Sequence, residues 1–322
     1  MKSLFEKINK KKATVLVIGL GYVGWPLLNL IKKKKFNVIG LDLNKKLVEK
    51  YRKINNLKLL SSYDSVNFDE VDIIIIALPT PLKKNIPDLS YIKNSMKAMI
   101  NKLKVDQLII LESTSYPSTT ENFIVKEINK KFEVGYKFFV GYSPEREDPG
   151  NHKFSIKNIS KIVSGKTDKC RILTKNFYQK ICLKVVESSS LETAEMTKLY
   201  ENIFRAVNIS LSNETKEICK KINIDFNEVI SLASTKPFGF MPFYPGPGVG
   251  GHCIPVDPFY LNWYLKKKKT KSKFIELAGK INLNTPIKVF QQIKKFLRSK
   301  KFTKKNKILV LGLTYKKNIN DL

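Results

Sequence analysis

Short apolar segments alternate with amphipathic ones along the first half of the chain. Helical periodicity runs through residues 22–35, 91–103 and 120–131. Between these stretches lie short apolar runs that are rich in β-branched residues and typical of strands buried on both faces: residues 15–18, 38–41, 73–77, 108–111, 138–140, 162–163 and 183–186. The alternation predicts βαβ units and an α/β fold, with a Rossmann-like, doubly wound parallel sheet.

The second half of the chain has a helical pattern instead. One long pattern without Pro or Gly covers residues 191–223, and a loop dense in Pro and Gly covers residues 236–258. Residues 307–312 are again apolar, which predicts a strand. Shorter helical patterns lie between these segments, and Thr285 and Pro286 interrupt the last of them: residues 226–233, 259–268 and 273–297.

These changes of pattern predict more than one domain, as the length of 322 residues also does. We expect an N-terminal dinucleotide-binding domain over residues 1–187. A central helical domain is expected over residues 188–285. Residues 286–322 are expected to form a connecting helix and the first strand of a further α/β domain.

The charge balance is strongly basic, with 59 Lys and Arg against 28 Asp and Glu, for a formal net charge of +31. Taken alone, such a balance suggests a nucleic acid or an anionic membrane as partner. However, only five of these bases are arginine, the residue on which readers of nucleic acid usually depend, and lysine is spread through every segment. We interpret the lysines as solvated surface residues and expect no nucleic-acid partner. The positive field can still attract an anionic substrate.

Membrane insertion and secretion are not expected. The longest apolar run, around residues 71–78, is shorter than the roughly 20 residues that span a bilayer. The basic start and apolar residues 15–30 resemble a signal peptide, but the glycines within them have a better explanation below. The cysteines form no CxxC pair and no cluster with histidine, so we expect no metal site and a reduced, cytoplasmic protein: Cys170, Cys182, Cys219 and Cys253.

A glycine-rich motif follows the first predicted strand and opens a helix. Gly19 permits the tight turn, Gly21 lets the backbone approach a pyrophosphate, and Gly24 completes GxGxxG. Asp42 ends the next predicted strand, about 20 residues after Gly21, where a carboxylate accepts the ribose hydroxyls of NAD. The sequence therefore predicts an NAD site, and one that disfavours NADP.

The most informative chemistry lies near residue 253. Gly250 and Gly251 bring the backbone close to a ligand and expose the thiol of Cys253, and Asp257 lies four residues further on. Beside an NAD site, a thiolate can add to an aldehyde, and the adduct can lose a hydride to become a thioester. Cys253 can also be a small buried hydrophobic residue, as we expect for the other cysteines.

The long helix contributes a second pair. Lys198 and Asn202 are four residues apart and share a face, so a lysine there can stabilise a developing oxyanion. In a chain this rich in lysine, Lys198 can equally be a solvated side chain. Aromatic residues of the Pro- and Gly-rich loop can form an apolar stacking wall: Phe238, Phe240, Phe243 and Tyr244.

With these residues in view, the chain resembles the nucleotide-sugar dehydrogenase family, which includes UDP-glucose dehydrogenase. The matching stretches appear in family order over nearly the whole chain: GLGYVGWP at 19–26, LPTP at 78–81, ESTSYP at 112–117, SPE at 143–145, residues 195–214 and residues 250–257. The resemblance implies NAD-dependent oxidation of the sugar's 6-hydroxyl to a carboxylate, in two steps.

In the implied mechanism Asp257 and a water assist deprotonation, and Lys198 and Asn202 hold the oxyanion. Cys253 adds to the aldehyde, and water hydrolyses the thioester after the second oxidation. Glu145 matches the family's acid near this water, and Thr114 matches a hydroxyl that orients it. The resemblance also implies contacts with the cofactor or the UDP-sugar, and a homodimer formed through the long helix: cofactor contacts from Gly19, Gly21, Tyr22, Val23, Gly24, Asp42, Pro79, Thr80 and Thr114, and substrate contacts from Glu145, Lys198, Asn202, Phe243, Tyr244, Gly250 and Lys316.

Within the family, residues 236–261 and 143–151 look most like UDP-N-acetylglucosamine 6-dehydrogenases of surface-polysaccharide synthesis. UDP-N-acetylmannosamine and UDP-glucose dehydrogenases are the alternatives. The family ends in a third domain that helps to bind UDP, and residues 307–322 match only its first strand and the turn that contains Lys316. We therefore expect a fragment or a truncated product that binds NAD but turns over UDP-sugar very poorly.

Three other interpretations remain open at this stage. A β-hydroxyacid dehydrogenase would share the Rossmann unit and a catalytic lysine, but it would lack a nucleophilic cysteine. A basic binding protein would bind nucleic acid in a salt-sensitive manner and ignore NAD. An inactive truncated form of the family is the third.

Overall fold

A computed structural model of the chain describes residues 1–54, 56–84, 86–146, 158–251, 256–300, 307–312 and 314. The chain divides into two compact units. The first contains residues 1–83 and 87–198, and the second contains residues 84–86 and 199–322.

The first unit is built on one large sheet. Its strands lie in the order β10-β9-β8-β7-β4-β1-β2-β3. All neighbours in this order are parallel except β8 and β9, which are antiparallel. Two short strands, β5 and β6, form a separate ribbon. The bounds of the strands are: β1 Thr14–Ile18, β2 Asn37–Leu41, β3 Lys58–Leu60, β4 Ile73–Ile76, β5 Leu82–Lys83, β6 Ile86–Pro87, β7 Leu108–Leu111, β8 Phe139–Tyr142, β9 Lys161–Gly165 and β10 Val185–Glu187.

Helices accompany this sheet in the first unit, and the second unit consists mainly of helices. The first unit contains α1 Lys2–Asn9, α2 Gly24–Lys33, α3 Lys45–Ile54, α4 Ser90–Met99, α5 Lys126–Asn129, which continues a π-helical turn at Glu121–Val125, and α6 Asp168–Ile181. The helix α7 Leu191–Lys221 runs from the first unit into the second, which also contains α8 Phe226–Ala233, α9 Asp257–Lys267 and α10 Lys273–Ser299. No helix within the described ranges is long and apolar enough to cross a membrane.

The central strands are apolar on both faces because both faces are covered. β4 consists of four consecutive isoleucines, and all of them are buried. Val15, Val17 and Ile75 belong to one core cluster together with buried residues of α1, α2 and α6. This burial on both faces explains why the strands are continuous apolar runs rather than alternating patterns.

Two details of the first unit are absent from the sequence prediction. The basic N-terminus forms the amphipathic helix α1, whose Leu4 and Ile8, one turn apart, are buried in the core. The other detail is the direction of β9. The sheet is predicted to be parallel, but β8 and β9 are antiparallel. Apolar content predicts a strand but not its direction, which is why the sequence does not reveal this pair.

The second unit corrects two predictions. The helix α10 continues through Pro286 rather than being interrupted there. Asn282 and Thr285 are buried on this helix, and Asn282 donates to the carbonyl of Ala206 on α7, so tertiary packing holds the turn despite the proline. Residues 307–312 are exposed and irregular and do not form the predicted strand. A strand needs a partner for its backbone groups, and no described residue pairs with this segment.

Candidate active site

The glycine motif forms the turn between β1 and α2, and two of its positions have no room for a side chain. Gly19 has a φ of +90°, and a Cβ there would lie 2.4 Å from the carbonyl oxygen of Ala77. A Cβ on Gly24 would lie 1.8 Å from the carbonyl oxygen of Gly19. Around Gly21 the space is open, with no atom within 4 Å of the position of a Cβ. The turn is therefore compact on the protein side and open on the side where a pyrophosphate would approach the N-terminus of α2.

Asp42 follows β2, and its carboxylate connects the glycine turn to the turn after β2. Its carboxylate accepts the backbone N–H of Leu20 at 2.8 Å and that of Asn44 at 2.9 Å. Each carboxylate oxygen has a second lone pair, so the group can still accept from a ribose hydroxyl. Tyr22 is 54% exposed, and Val23 is the N-cap residue of α2. These residues fit the adenosine half of a dinucleotide.

We expect Asp42→Asn to weaken NAD binding about tenfold, because a hydrogen bond to a charged group contributes ~1.5 kcal/mol or more. The loss of affinity should be smaller for NADP, so the ratio of the affinity for NAD to that for NADP should decrease. Calorimetric titration with both cofactors measures the two affinities. The matched control is Asp64→Asn, which neutralises an exposed carboxylate of the same unit and should change neither affinity. Equal or tighter NADP binding by the unmodified chain would contradict the assignment.

The turns after β4 and β7 are tied together beside the glycine motif. Ser113 donates to the carbonyl of Leu78 at 2.7 Å, and the hydroxyl of Thr80 donates to the carbonyl of Thr114 at 2.9 Å. Pro79 is exposed between them. Since β2, β1, β4, β7 and β8 are parallel neighbours, the turns after them lie at one edge of the sheet, where open α/β sheets bind their ligands.

Glu145 follows β8 at this edge, and its carboxylate is held on both oxygens. One oxygen accepts the backbone N–H of Arg146 at 2.7 Å, and the other accepts the ammonium of Lys161 at 2.8 Å. Lys161 is only 3% exposed and also donates to Glu112 at 2.7 Å. The hydroxyl of Tyr178 donates to the second oxygen of Glu112. One buried cation is therefore shared by two carboxylates.

Burial and charge shift the pKa values within this network. Burial raises the pKa of Glu112 to about 7, although the Lys161 cation opposes the shift. Burial acts to lower the pKa of Lys161, but Glu112 and Glu145 outweigh it and raise that pKa above its usual value. The pKa of Tyr178 is raised by burial and by Glu112. Lys161 therefore keeps its charge at neutral pH.

A second buried carboxylate, Glu195 on α7, organises the turn that follows Thr114. It accepts the backbone N–H of Ser118 at 2.6 Å and both the N–H and the hydroxyl of Thr120, at 2.8 and 2.6 Å. Burial raises the pKa of Glu195 to about 7 against these hydrogen bonds, which lower it. The start of α7 is thereby fixed to the segment that contains Thr114.

The second unit holds a buried amide and carboxylate pair. Asn202 on α7 donates its side-chain N–H to the carboxylate of Asp257, the first residue of α9. The two residues are 6% and 1% exposed. Lys198, one turn before Asn202 on α7, is also buried, and none of the salt bridges between described residues includes it. An amide, an ammonium and a carboxylate are the groups needed to deprotonate an alcohol and hold its oxyanion.

The Pro- and Gly-rich loop is anchored to α7 only in part. Phe243 packs edge-to-face on Phe204 with ring centroids 5.8 Å apart, and Gly246 donates its N–H to Asn213 at 3.0 Å. Phe238, Phe240 and Tyr244 are exposed to solvent, and the ammonium of Lys236 lies 5.1 Å from the Phe238 ring. Among the described residues these rings do not form the predicted aromatic wall. Gly250 is exposed as well. Cys253 and Lys316 lie outside the described residues.

The fold and these residues define a class of protein, the nicotinamide-dependent dehydrogenases with a Rossmann unit and a helical second unit. The NAD-binding domain of the UDP-glucose/GDP-mannose dehydrogenase family matches residues 45–182, and the central domain of that family matches residues 192–284. The chain belongs to this family. It is accordingly an NAD-dependent UDP-sugar dehydrogenase by family, an oxidoreductase.

Individual relatives agree with this assignment. UDP-N-acetyl-D-mannosamine dehydrogenase of Methanocaldococcus jannaschii is 33% identical over 327 residues, which cover 95% of this chain and 73% of the relative. UDP-N-acetyl-D-glucosamine 6-dehydrogenase of Pseudomonas aeruginosa is also 33% identical, over 97% of this chain and 78% of the relative. The solved UDP-N-acetyl-mannosamine dehydrogenase Cap5O from Staphylococcus aureus superposes with a TM-score of 0.82 and 30% identity, over 96% of this chain and 76% of that one. The predicted family, fold class and cofactor are confirmed.

Sequence reasoning missed the buried residues that support the site. Lys161 is one of 59 Lys and Arg residues, and none of the recognised motifs contains it. Its position at the start of an apolar strand is the one available signal, because a solvated lysine rarely begins a buried strand. Glu112 and Glu195 lie inside recognised motifs, but the motifs do not reveal which side chains they bind.

Proposed function

We propose that this chain oxidises the 6-hydroxyl of a UDP-N-acetylhexosamine to the carboxylate, with UDP-N-acetylglucosamine as the preferred substrate. The observation that carries the proposal is the buried contact between Asn202 and Asp257, one helical turn from the buried Lys198. Burial strengthens such charges toward a bound alcohol because little water competes with them.

The first oxidation uses these three groups. Asp257, through a water molecule, takes the proton of the 6-hydroxyl, while Lys198 and Asn202 stabilise the alkoxide by charge and hydrogen bonding. NAD, when bound, accepts the hydride that leaves carbon 6. Loss of one proton and one hydride converts the alcohol to the aldehyde. The remaining cofactor contacts that we propose come from Tyr22, Val23, Pro79 and Thr80.

The second oxidation adds Cys253. Its thiolate attacks the aldehyde carbon to form the oxyanion of a thiohemiacetal, and loss of a second hydride, for which NAD would supply the acceptor when bound, gives a thioester. Water then attacks the thioester carbon as it gives up one proton, and the carbon–sulfur bond breaks to regenerate the thiolate. The acid that forms loses the second proton of this water to solvent and leaves as the carboxylate. Each sugar therefore yields two NADH. We assign Glu145 to accept a proton from this water and Thr114 to orient it.

The substrate assignment rests on the loops around the site and on charge. Residues 236–261 resemble the UDP-N-acetylglucosamine enzymes, and we propose that Phe243, Tyr244, Gly250 and Lys316 contact the substrate. The net charge of +31 favours the approach of the anionic diphosphate. Relatives named for the gluco and the manno epimers are equally similar at 33% identity, so overall identity does not separate the two sugars.

The test is a substrate panel with the full chain. NADH and uronate are measured for UDP-N-acetylglucosamine, UDP-N-acetylmannosamine and UDP-glucose, and kcat/KM is compared. The proposal expects two NADH per sugar and the highest kcat/KM for UDP-N-acetylglucosamine. A preference for UDP-glucose would refute the substrate assignment, and a yield of one NADH per sugar would refute the two-step oxidation.

We further propose that two copies pair through α7. Its exposed apolar residues repeat at intervals of four and seven along one stripe, the spacing of a helix-to-helix seam: Tyr200, Phe204, Leu211 and Ile218. Sedimentation velocity should show a dimer that Leu211→Glu converts to a monomer. A monomeric unmodified chain at micromolar concentration would exclude this pairing.

A further inference from the structure

Lys161 connects the turns that carry the two residues assigned to the hydrolytic water. Its ammonium bonds Glu145 on the turn after β8 at 2.8 Å, and Glu112 at the end of β7 at 2.7 Å. Thr114 lies two residues after Glu112. One buried cation therefore fixes the turn of Thr114 and the carboxylate of Glu145 at the same time.

Contacts with α6 and with the neighbouring strand restrain Lys161. Tyr178 on α6 donates to the oxygen of Glu112 that Lys161 does not use, and its ring lies 5.2 Å from the ammonium. β9, which begins at Lys161, packs antiparallel to β8, the strand that leads to Glu145. The ammonium thus has little freedom to move, and so has the Glu145 carboxylate that it binds.

The charge arrangement favours an ionised Glu145. Buried carboxylates ordinarily become protonated, because burial disfavours the charged form. Among the residues that the structure describes, the titratable and charged groups that face this site are Lys161, Glu112, Tyr178, Cys182 and Arg146. Burial raises the pKa of the Cys182 thiol to about 11, so this thiol is neutral at physiological pH. The guanidinium of Arg146 donates to the carbonyl of Ser160, and the ammonium of Lys161 is in direct contact with the carboxylate of Glu145 at 2.8 Å.

We propose that Lys161 is a positioning residue for thioester hydrolysis: it orients the Glu145 carboxylate and keeps it ionised, and so ready to accept a proton from the attacking water. This inference rests on the proposed function of Glu145. Lys161 contacts neither substrate nor cofactor in this assignment and acts through Glu145. Its removal should therefore slow hydrolysis at low pH and leave both hydride transfers intact.

The experiment compares pH profiles of kcat in the full chain. Lys161→Met leaves the carboxylates of Glu112 and Glu145 without this cation and can fail to fold, so the principal variant is Lys161→Met with Glu112→Gln, which keeps the formal charge of the network. Its acid limb should lie at higher pH than that of Glu112→Gln alone, by about one unit or more, because these two variants differ only in the cation beside Glu145 and loss of an adjacent opposite charge raises the pKa of a carboxyl group. Both hydride transfers precede hydrolysis, so the rapid initial formation of two NADH per active site should remain. The KM for the UDP-sugar should stay unchanged.

Four further variants test whether Lys161 acts through Glu145. Glu112→Gln alone keeps the bond between Lys161 and Glu145 and should not move the acid limb to higher pH, because it removes a like charge. Lys161→Arg keeps the cation and should leave the acid limb in place. Lys175→Met removes a surface lysine that is paired with Glu187, and it should leave the profile and the activity unchanged. The positioning role would be overturned if the double variant had the same acid limb as Glu112→Gln alone. It would also be overturned if the amplitude of the NADH burst and the steady-state rate fell equally. If Glu145→Gln keeps the acid limb, the assigned role of Glu145 is itself wrong.

Discussion

Replacement of Cys253 with serine should lower the rate of carboxylate formation about a thousandfold or more, because an alkoxide forms far less readily than a thiolate at neutral pH. In the proposed mechanism the first oxidation uses Asp257, Lys198 and Asn202 but no thiol. The variant should therefore release one NADH per sugar, as a slow reaction, and accumulate the aldehyde, which a hydroxylamine derivative captures. Mass spectrometry of the unmodified chain during turnover should reveal a sugar adduct on Cys253 that the variant lacks.

The matched control is Cys219→Ser. Cys219 is a free, buried thiol on α7, and its substitution should change the free energy of unfolding slightly but leave two NADH per sugar. Retention of normal carboxylate formation by Cys253→Ser would give Cys253 a structural role only. The simpler chemistry of a β-hydroxyacid dehydrogenase would then become the better description of this site.

The dinucleotide site could be predicted from sequence because its geometry is local. Gly19 and Gly24 are five residues apart, and the clash that excludes a side chain from Gly24 is with Gly19 itself. Asp42 is further away, but the length of one βα unit fixes its distance from the motif. These spacings depend on backbone geometry alone, so a short sequence motif is enough to predict them.

The support behind Glu145 could not be predicted in this way. Lys161 is 16 residues from Glu145 and 49 from Glu112, and the three residues meet because β7, β8 and β9 are neighbours in the sheet. Strand order and the antiparallel direction of β9 are properties of the whole fold. A pattern of apolar residues specifies neither, so a buried lysine remains indistinguishable from the many solvated ones.

The residues on α7 likewise combine a local feature that the sequence predicts with a distant contact that it does not. Helical periodicity predicts that Lys198 and Asn202 share a face of α7, and both are buried there. The partner of Asn202, Asp257, is 55 residues away, and only the packing of α9 brings the two together. Likewise, the local preference of proline predicts an interruption at Pro286, but the burial of Asn282 and Thr285 keeps α10 continuous there.

Substitution of Asp257 by asparagine should lower kcat for the first oxidation by about 10²- to 10⁴-fold, the usual contribution of a positioned general base. The amide has nearly the shape of the carboxylate, and its oxygen can still accept the N–H of Asn202, so the fold should be kept. The KM for UDP-sugar and the affinity for NAD should change little, because Asp257 acts mainly as charge develops in the transition state. Stopped-flow measurement of the first NADH equivalent isolates this step.

Asp225→Asn provides the matched control for this substitution. Asp225 is also a carboxylate at the start of a helix of the same unit, where it accepts the N–H of Asn227 at 2.8 Å. Asparagine caps helices as well as aspartate does, so this variant should keep the unmodified rate. Asn202→Ala should also slow the first step, and the double variant with Asp257→Asn should lose less than the product of the two single effects, since the residues act as one hydrogen-bonded unit. A rate for Asp257→Asn within about threefold of the unmodified chain would show that the buried contact is structural and that another group takes the proton.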